Sequence, residues 1–584
     1  MIFDAPNSNH LWASLLVEEL VRCGVTAFFL APGSRSTPLV TAVAAHADAV
    51  PLLHVDERGT AFAALGYARA TRRPAAWVTT SGTAVANGMP AVVEAATDAV
   101  PLLLLTADRP PELRQTGANQ TIDQPGLFGD YVRWRFDLPA PEPGLDPAMV
   151  LTTVDQAVYR AMRSPAGPVH LNLMFREPLA PDPSDGAPLE RADHLRAWFE
   201  RGTPYTTYAA VRAAARAEAL RPLIDGARRG LIVAGRLDTP SEGAAVQRLA
   251  RHLGWPLLAD VGSQARLGPG APTRIDTFDL LLGHAAWAQE HRPDGVLYLG
   301  RRATSKRLAA FLDATRPDVL AVIRPDPFRF DPSHRVTHRV ETEVVPFVEA
   351  LTAEPAPPSA PGWQDAWTAA DRRLKAWLGT ALSGTGLSEP AVARAVTRLI
   401  PPEQALVLAS SMPVRDADTF ATPEGAPVPV YTNRGASGID GTVATAVGVA
   451  RARGRPVTLL IGDLALLHDL NALMLLREVP VVVVVINNDG GGIFHFLPIA
   501  RHERFFEPFF GTPHGLGFEH AARLFGLPYH RPDTLPAFEA VYQAACAAGR
   551  SALIEVVTDR HANVALHRRL LDEARAVVDG AIPR

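Results

Sequence analysis

Residues 479–498 read VPVVVVVINNDGGGIFHFLP. From Val481 to Ile486 no polar residue interrupts the run, so a strand here has no face fit for water. Such a strand must be covered on both sides, as in a parallel sheet flanked by helices. The run then ends in two asparagines, an aspartate and three glycines. A turn needs one or two glycines; a longer polar and glycine-rich end means that something must approach the backbone closely.

The same logic repeats along the chain. Apolar segments at 25–31, 49–55, 75–80 and 99–107 alternate with helix-like stretches, then again at 229–235, 255–260, 294–300 and 318–323. A third series follows at 405–411, 429–433, 456–463, 479–488 and 551–557. Strands alternating with helices predict βαβ units and parallel sheets. Pro-rich stretches at 178–188 and 353–362 read as linkers. The expected fold class is therefore α/β, with three successive domains of mainly parallel sheet flanked by helices: 1–180, 190–352 and 363–584. A length of 584 residues is too great for one core. The first and third series look alike in architecture.

Bulk properties narrow the function classes. A hydrophobic share of 47% with 20% charged residues suits a soluble globular enzyme, and a net charge of −4 offers no general attraction to nucleic acid. Two cysteines, Cys23 and Cys546, make no disulfide framework, which predicts a reducing, cytoplasmic setting. The first residues lack a basic start followed by an apolar signal core and read as an amphipathic helix capped near Asn7 or Ser8 and stopped by Gly24. No transmembrane segment is expected.

Ligands of open parallel sheets bind beyond the carboxyl ends of the strands. Asp463 ends the strand at 456–463, and Asn488 ends the next one twenty-five residues later (488 − 463 = 25). One βαβ crossover fits that spacing, so both side chains reach the same sheet edge. A carboxylate, an amide oxygen and a backbone carbonyl are hard ligands suited to Mg2+ alongside phosphate oxygens. Either motif alone is usually only a turn; the pair at this spacing is far more specific.

The GD…NN pair resembles the thiamine-diphosphate motif of the decarboxylase and acyloin synthase superfamily. The resemblance implies thiamine diphosphate as cofactor, and Asp463, Asn488 and the Gly490 carbonyl as ligands of Mg2+ (or Mn2+). That superfamily also needs a carboxyl group against the cofactor's aminopyrimidine ring, from a different α/β domain. Glu57, following the strand at 49–55 and opening a helix, is the matching catalytic residue. Asp56 and Arg58 read as structural. The resemblance further implies cofactor contacts from Gly82, from Ile439 under the bend of the cofactor, and from Ile493 and Phe494 along an apolar wall. His495 reads as a packing or polar-contact residue.

The stretches PGSRSTPL, DERG…ALG, ADRPPELR…GANQTIDQ and TNRGASGIDG are together similar to the menaquinone-pathway synthase family. That family consists of carbon–carbon bond-forming transferases, which decarboxylate 2-oxoglutarate and add the succinyl carbanion equivalent to isochorismate. Both substrates carry two carboxylates, and guanidinium groups grip carboxylates in a fork. The resemblance implies that Ser411 and Arg415, with Arg434 nearby, hold 2-oxoglutarate. It implies Arg35, Arg109, Asn119, Gln120 and Lys306 for isochorismate, and Ser34 as a further substrate contact. It also implies a homodimer or homotetramer with active sites between subunits. Competing readings are an oxo-acid decarboxylase acting on pyruvate and a catalytically inert cofactor-binding scaffold. A nicotinamide-dependent enzyme is disfavoured, since no G-x-G-x-x-G run sits at a strand–helix junction with a downstream acid.

Overall fold

The computed structural model describes residues 5–142, 144–183, 193–209 and 216–580. Residues 184–188 of the first Pro-rich stretch fall outside that set. Three parallel sheets carry the fold. The first contains β1 (Ala27–Leu30), β2 (Val50–Leu53), β3 (Ala75–Thr79), β4 (Leu102–Asp108), β5 (Trp134–Leu138) and β6 (Pro168–Met174), in the order β2-β1-β3-β4-β6-β5. The second contains β7 (Gly230–Ala234), β8 (Leu257–Ala259), β9 (Gly295–Leu299), β10 (Val319–Arg324) and β11 (His338–Glu341), in the order β11-β10-β9-β7-β8. The third contains β12 (Ala405–Leu408), β13 (Val430–Thr432), β14 (Val457–Gly462), β15 (Val481–Asn487), β16 (Tyr529–His530) and β17 (Ala552–Val557), in the order β13-β12-β14-β15-β17-β16. Shifting its numbers by eleven gives the order of the first sheet, so the expected likeness of the two holds in topology.

Every residue of β15 is buried, and β14 and β17 pair with it on either side. The apolar run is thus the centre of its sheet. Four strands escape the sequence pattern. β6 is fully buried, yet His170 and Asn172 interrupt its apolar character; both are hydrogen-bonded to other side chains, which makes their burial tolerable. β5, β11 and β16 are edge strands, partly exposed or only two residues long, and carry no apolar signal.

The chain divides into two compact units. The first comprises Met1–Val211, Asn433–Gly454 and Asp469–Glu478; the second comprises Arg212–Thr432, Arg455–His468 and Val479–Arg584. In the first unit the helices Glu57–Thr71 and Thr442–Arg453 pack backbone to backbone. A Cβ on Gly66 would lie 2.1 Å from the Thr445 carbonyl oxygen, and one on Gly448 would lie 2.0 Å from that of Ala63. Only glycine permits this approach. The opening helix, Ser8–Arg22, is capped by Asn7, whose side chain accepts the His10 N–H. In the second unit the helix Trp363–Ser383 lays Trp363, Trp367, Leu374 and Leu378 into a core shared with β7 and β9.

One buried carboxyl in the first unit carries a stability prediction. Glu19 is fully buried beside Asp155 and accepts from the Trp198 indole (2.9 Å) and the Tyr205 N–H. Burial, then Asp155, pushes its carboxyl up to about 8, against an ordinary value of 4.5. Between those pH values the folded chain keeps a proton that the unfolded chain has lost, so stability falls as pH rises through this window. Glu19→Gln is expected to shrink the drop in urea midpoint between pH 5 and pH 8. An unchanged drop would mean that another group holds the proton.

No helix among the described residues is long and apolar enough to cross a membrane.

Candidate active site

In the second unit, strand ends deliver the predicted anchor. Asp463 follows β14 directly and begins the short helix Asp463–His468. It is 3% exposed, and its Oδ2 accepts the backbone N–H groups of Asn488 (3.1 Å) and Gly490 (2.9 Å). Oδ1 accepts the Leu464 N–H (2.7 Å). His514 adds a further donor. Its Nδ1 accepts the Leu516 N–H (3.0 Å), so Nε2 carries the proton and donates to Asp463 Oδ2 at 3.2 Å. Burial raises the Asp463 carboxyl pKa, and the Gly490 and Leu464 N–H groups and His514 oppose the rise.

Asn488 lies 7% exposed at the end of β15. Its amide Nδ2 donates to Glu389 Oε1 (2.9 Å), while its Oδ1 is buried and has no hydrogen-bond partner. An orphaned buried acceptor is costly unless something fills its coordination. Gly490 has φ +132, and a Cβ there would lie 1.9 Å from the Gly511 carbonyl oxygen. The loop geometry therefore demands glycine twice over, by conformation and by space. Asp489, at φ 60, turns away and accepts from the N–H groups of His514 and Gly515. The donor set around this loop, all hard oxygen with one orphaned acceptor, fits a hard dication. Ile493 and Phe494 follow in the turn Gly492–Phe496, both half-buried; Phe494 packs edge-on to Phe510 with centroids 5.5 Å apart.

Ser411 follows β12, next to β14, where the strand order reverses. Its φ of 75 is unusual for a residue with a Cβ, and it opens the helix Met412–Phe420. The Arg415 guanidinium, one turn on, donates to the Ser411 carbonyl oxygen. Lys306, also in this unit, is the exposed first residue of the helix Lys306–Thr315.

In the first unit Glu57 opens the helix Glu57–Thr71, with Asp56 as its cap accepting the Arg58 N–H. Its Oε2 accepts from the Asn87 side chain at 3.1 Å. Asp56 also accepts from Asn471 (2.6 Å), a structural role as expected. Gly82, at φ 82, donates its N–H to Gln124 Oε1 (3.2 Å). Ile439 is half-buried in the loop before the helix Thr442–Arg453, and Arg434 is half-buried in the same loop. The buried Glu94 clamps that loop by accepting from the N–H groups of Gly435 (2.9 Å) and Ala436 (2.6 Å).

Arg35 and Arg109 follow β1 and β4, which flank β3. Arg109 donates to the Gln120 carbonyl oxygen (2.9 Å) and to the Ser81 hydroxyl, and the Gln120 side chain donates to the Ser81 carbonyl oxygen (2.9 Å). Arg35 donates to the Phe175 carbonyl oxygen (2.8 Å) and pairs with Glu177 (3.2 Å). The Arg109 pKa is lowered by burial and then by the positive charge of Arg35. Ser34 and Asn119 are exposed on the same two loops.

The residues that hold these groups had no local signal in the sequence. Asn87, Glu94, Glu389 and His514 act through contacts 25 to 342 residues away along the chain. Only the GTPHG placement of His514, between a proline and a glycine, hints at a fixed loop side chain.

Comparison with known proteins finds three successive family matches along the chain. Residues 12–127 match the family described as the thiamine pyrophosphate enzyme N-terminal TPP binding domain. Residues 190–408 match the middle domain of thiamine pyrophosphate enzymes, and residues 421–556 match the C-terminal TPP binding domain. A protein of Rubrobacter xylanophilus named 2-succinyl-5-enolpyruvyl-6-hydroxy-3-cyclohexene-1-carboxylate synthase is 60% identical over 97% of this chain and 98% of its own. A protein of the same name from Salinibacter ruber is 55% identical over 99% of both chains. One from Chlorobium phaeobacteroides is 42% identical over 97% of this chain and 98% of its own. With three thiamine pyrophosphate domains in series and end-to-end identity at this level, the chain belongs to the 2-succinyl-5-enolpyruvyl-6-hydroxy-3-cyclohexene-1-carboxylate synthase family of thiamine-diphosphate-dependent enzymes.

Proposed function

We propose that the protein decarboxylates 2-oxoglutarate and adds the resulting succinyl carbanion equivalent to isochorismate, the family's step in menaquinone biosynthesis. The observation that supports the choice of substrates is the placement of Arg35 after β1 and Arg109 after β4, the two strands on either side of β3, at one edge of the first sheet. Two guanidinium groups at one sheet edge suit an anion with more than one carboxylate. The relatives' shared name supports the same reading.

Thiamine diphosphate, when bound, supplies the electron sink that makes loss of CO2 from a 2-oxo acid possible. The chain's own residues do the rest. Asp463, Asn488 through its orphaned Oδ1, and the Gly490 carbonyl would hold Mg2+ against the diphosphate. Glu57, kept in place by Asn87, would hold a proton at the aminopyrimidine ring. Ile439, Ile493, Phe494 and Gly82 would shape the cofactor's surroundings. Ser411, Arg415 and Arg434 would grip the distal carboxylate of 2-oxoglutarate, leaving the carboxylate that departs without an ionic partner. Arg35, Arg109, Gln120, Ser34, Asn119 and Lys306 would receive isochorismate.

Domains at 1–180, 190–352 and 363–584, a homodimer or homotetramer with active sites between subunits, and a cytoplasmic location belong to the same reading. The three sheets support the first by connectivity, although the helix Trp363–Ser383 packs with the second sheet.

Two measurements test the substrate assignment. CO2 release should be supported by 2-oxoglutarate and not by pyruvate; the reverse preference would make the protein a different thiamine-diphosphate enzyme. Arg35→Ala and Arg109→Ala should each raise KM for isochorismate by roughly tenfold to a hundredfold, the range of a lost hydrogen bond to a charged group. KM for 2-oxoglutarate should stay within a factor of two or so. Equal effects on both substrates would remove these arginines from the isochorismate side.

A further inference from the structure

A cluster outside the proposed cofactor site brings together two imidazoles and a carboxylate. His495 lies in the turn Gly492–Phe496, Glu507 starts the turn Glu507–Gly511, and His561 is the second residue of the helix Arg560–Val578. One ligand atom from each lies within 4.8 Å of the other two, and the His561 Nε2 to Glu507 Oε1 distance is 3.8 Å. The imidazoles of His495 and His561 meet at 4.6 Å and 75°.

Packing alone leaves this arrangement unexplained. His495 is only 6% exposed, yet its Nε2 is buried without a hydrogen-bond partner, and Glu507 Oε1 is likewise buried and unpartnered. Two unmatched polar atoms on residues of one cluster are a cost that a bound ion can remove. Arg560 holds the other carboxylate oxygen, Oε2, at 3.1 Å, which orients Glu507 and leaves Oε1 for the cluster. Burial lowers the His495 pKa, and the neighbouring His561 and Arg560 lower it further.

We propose that His495, Glu507 and His561 form a binding site for a transition-metal dication of the Zn2+ class, with three protein ligands and an open position toward solvent. Two imidazole nitrogens with one carboxylate oxygen are the ligand set that Zn2+ and Co2+ accept and that Mg2+ does not favour. The open position follows from the exposure of His561, whose side chain is 69% accessible. The bound ion clips three separate segments together. One of them is tied to the loop beside Gly490, since the Gly491 N–H donates to the Gly511 carbonyl oxygen at 2.7 Å. The site uses neither Asp463 nor Asn488, so it stands or falls independently of the cofactor assignment.

The test is a Co2+ titration of the full-length protein already saturated with thiamine diphosphate and Mg2+, read by visible absorption. One equivalent per chain should bind with the intense bands of a low-coordinate imidazole site, unlike the faint bands of a six-coordinate oxygen site. Zn2+ should displace it and raise the thermal midpoint. His561→Ala, at an exposed position, should fold normally, weaken Co2+ binding by roughly a hundredfold or more, and abolish the Zn2+ shift. Glu507→Gln should weaken binding while the fold is kept. Absence of a Co2+ equivalent beyond the Mg2+ site, or a His561→Ala protein that binds as the parent does, would overturn the proposal.

Discussion

Glu57→Gln lowers turnover by roughly a thousandfold, within the range expected for a lost acid–base group, with little change in stability. The reasoning is local. Glu57 is the first residue of its helix, half-buried, and the Asp56 cap that fixes the helix start is untouched by the change. Glutamine keeps an oxygen for the Asn87 amide at Oε2, so the side chain should stay where it is. What it loses is the capacity to hold and release a proton. Thiamine diphosphate affinity, followed by fluorescence quenching or calorimetry, should change by less than about tenfold. Substantial activity in the variant would remove Glu57 from the chemistry; a collapse of folding would show instead that it is structural.

Asp463→Asn has the second large effect, on cation binding. The carboxylate gathers the N–H groups of Leu464, Asn488 and Gly490 with His514, and it stands at the same sheet edge as the orphaned Asn488 Oδ1. An asparagine can turn its oxygen toward only part of that donor set, and its amide nitrogen then faces other donors. The half-saturating Mg2+ or Mn2+ concentration should rise by at least about a hundredfold, read by Mn2+ paramagnetic resonance in the presence of thiamine diphosphate. Amide exchange at 488–491 should also accelerate, because two of the hydrogen bonds that hold the loop weaken. If cation affinity is unchanged while exchange accelerates, Asp463 orders the loop without binding the ion.

How much of this could be read from residues alone depends on the range of the interaction. β15 was legible because an unbroken apolar run has only one home, the middle of a covered sheet. Asp463, Asn488 and Glu57 were legible because strand ends and helix starts are local features. β6 was hidden by His170 and Asn172, polar residues made acceptable by partners on other strands. The holders Asn87, Glu389 and His514 were equally hidden: an asparagine in VANG or a glutamate opening a helix looks like ordinary capping until the fold brings Glu57 or Asn488 to it. The grouping of 433–454 and 469–478 with the first unit breaks the simple series of three that connectivity suggests. His495 shows the limit most clearly. It reads as a packing residue, and it does pack against Phe506, but Glu507 comes to it from a separate turn and His561 from the start of a later helix.

The central claim is that one chain couples loss of CO2 from 2-oxoglutarate to carbon–carbon bond formation with isochorismate. Incubation of the purified protein with thiamine diphosphate, Mg2+ and both substrates, followed by mass spectrometry, tests it most directly. The account predicts a product carrying the isochorismate skeleton plus the succinyl four-carbon unit, absent when either substrate or the cofactor is left out. Consumption of 2-oxoglutarate with no such adduct, or equal turnover with pyruvate alone, would contradict it.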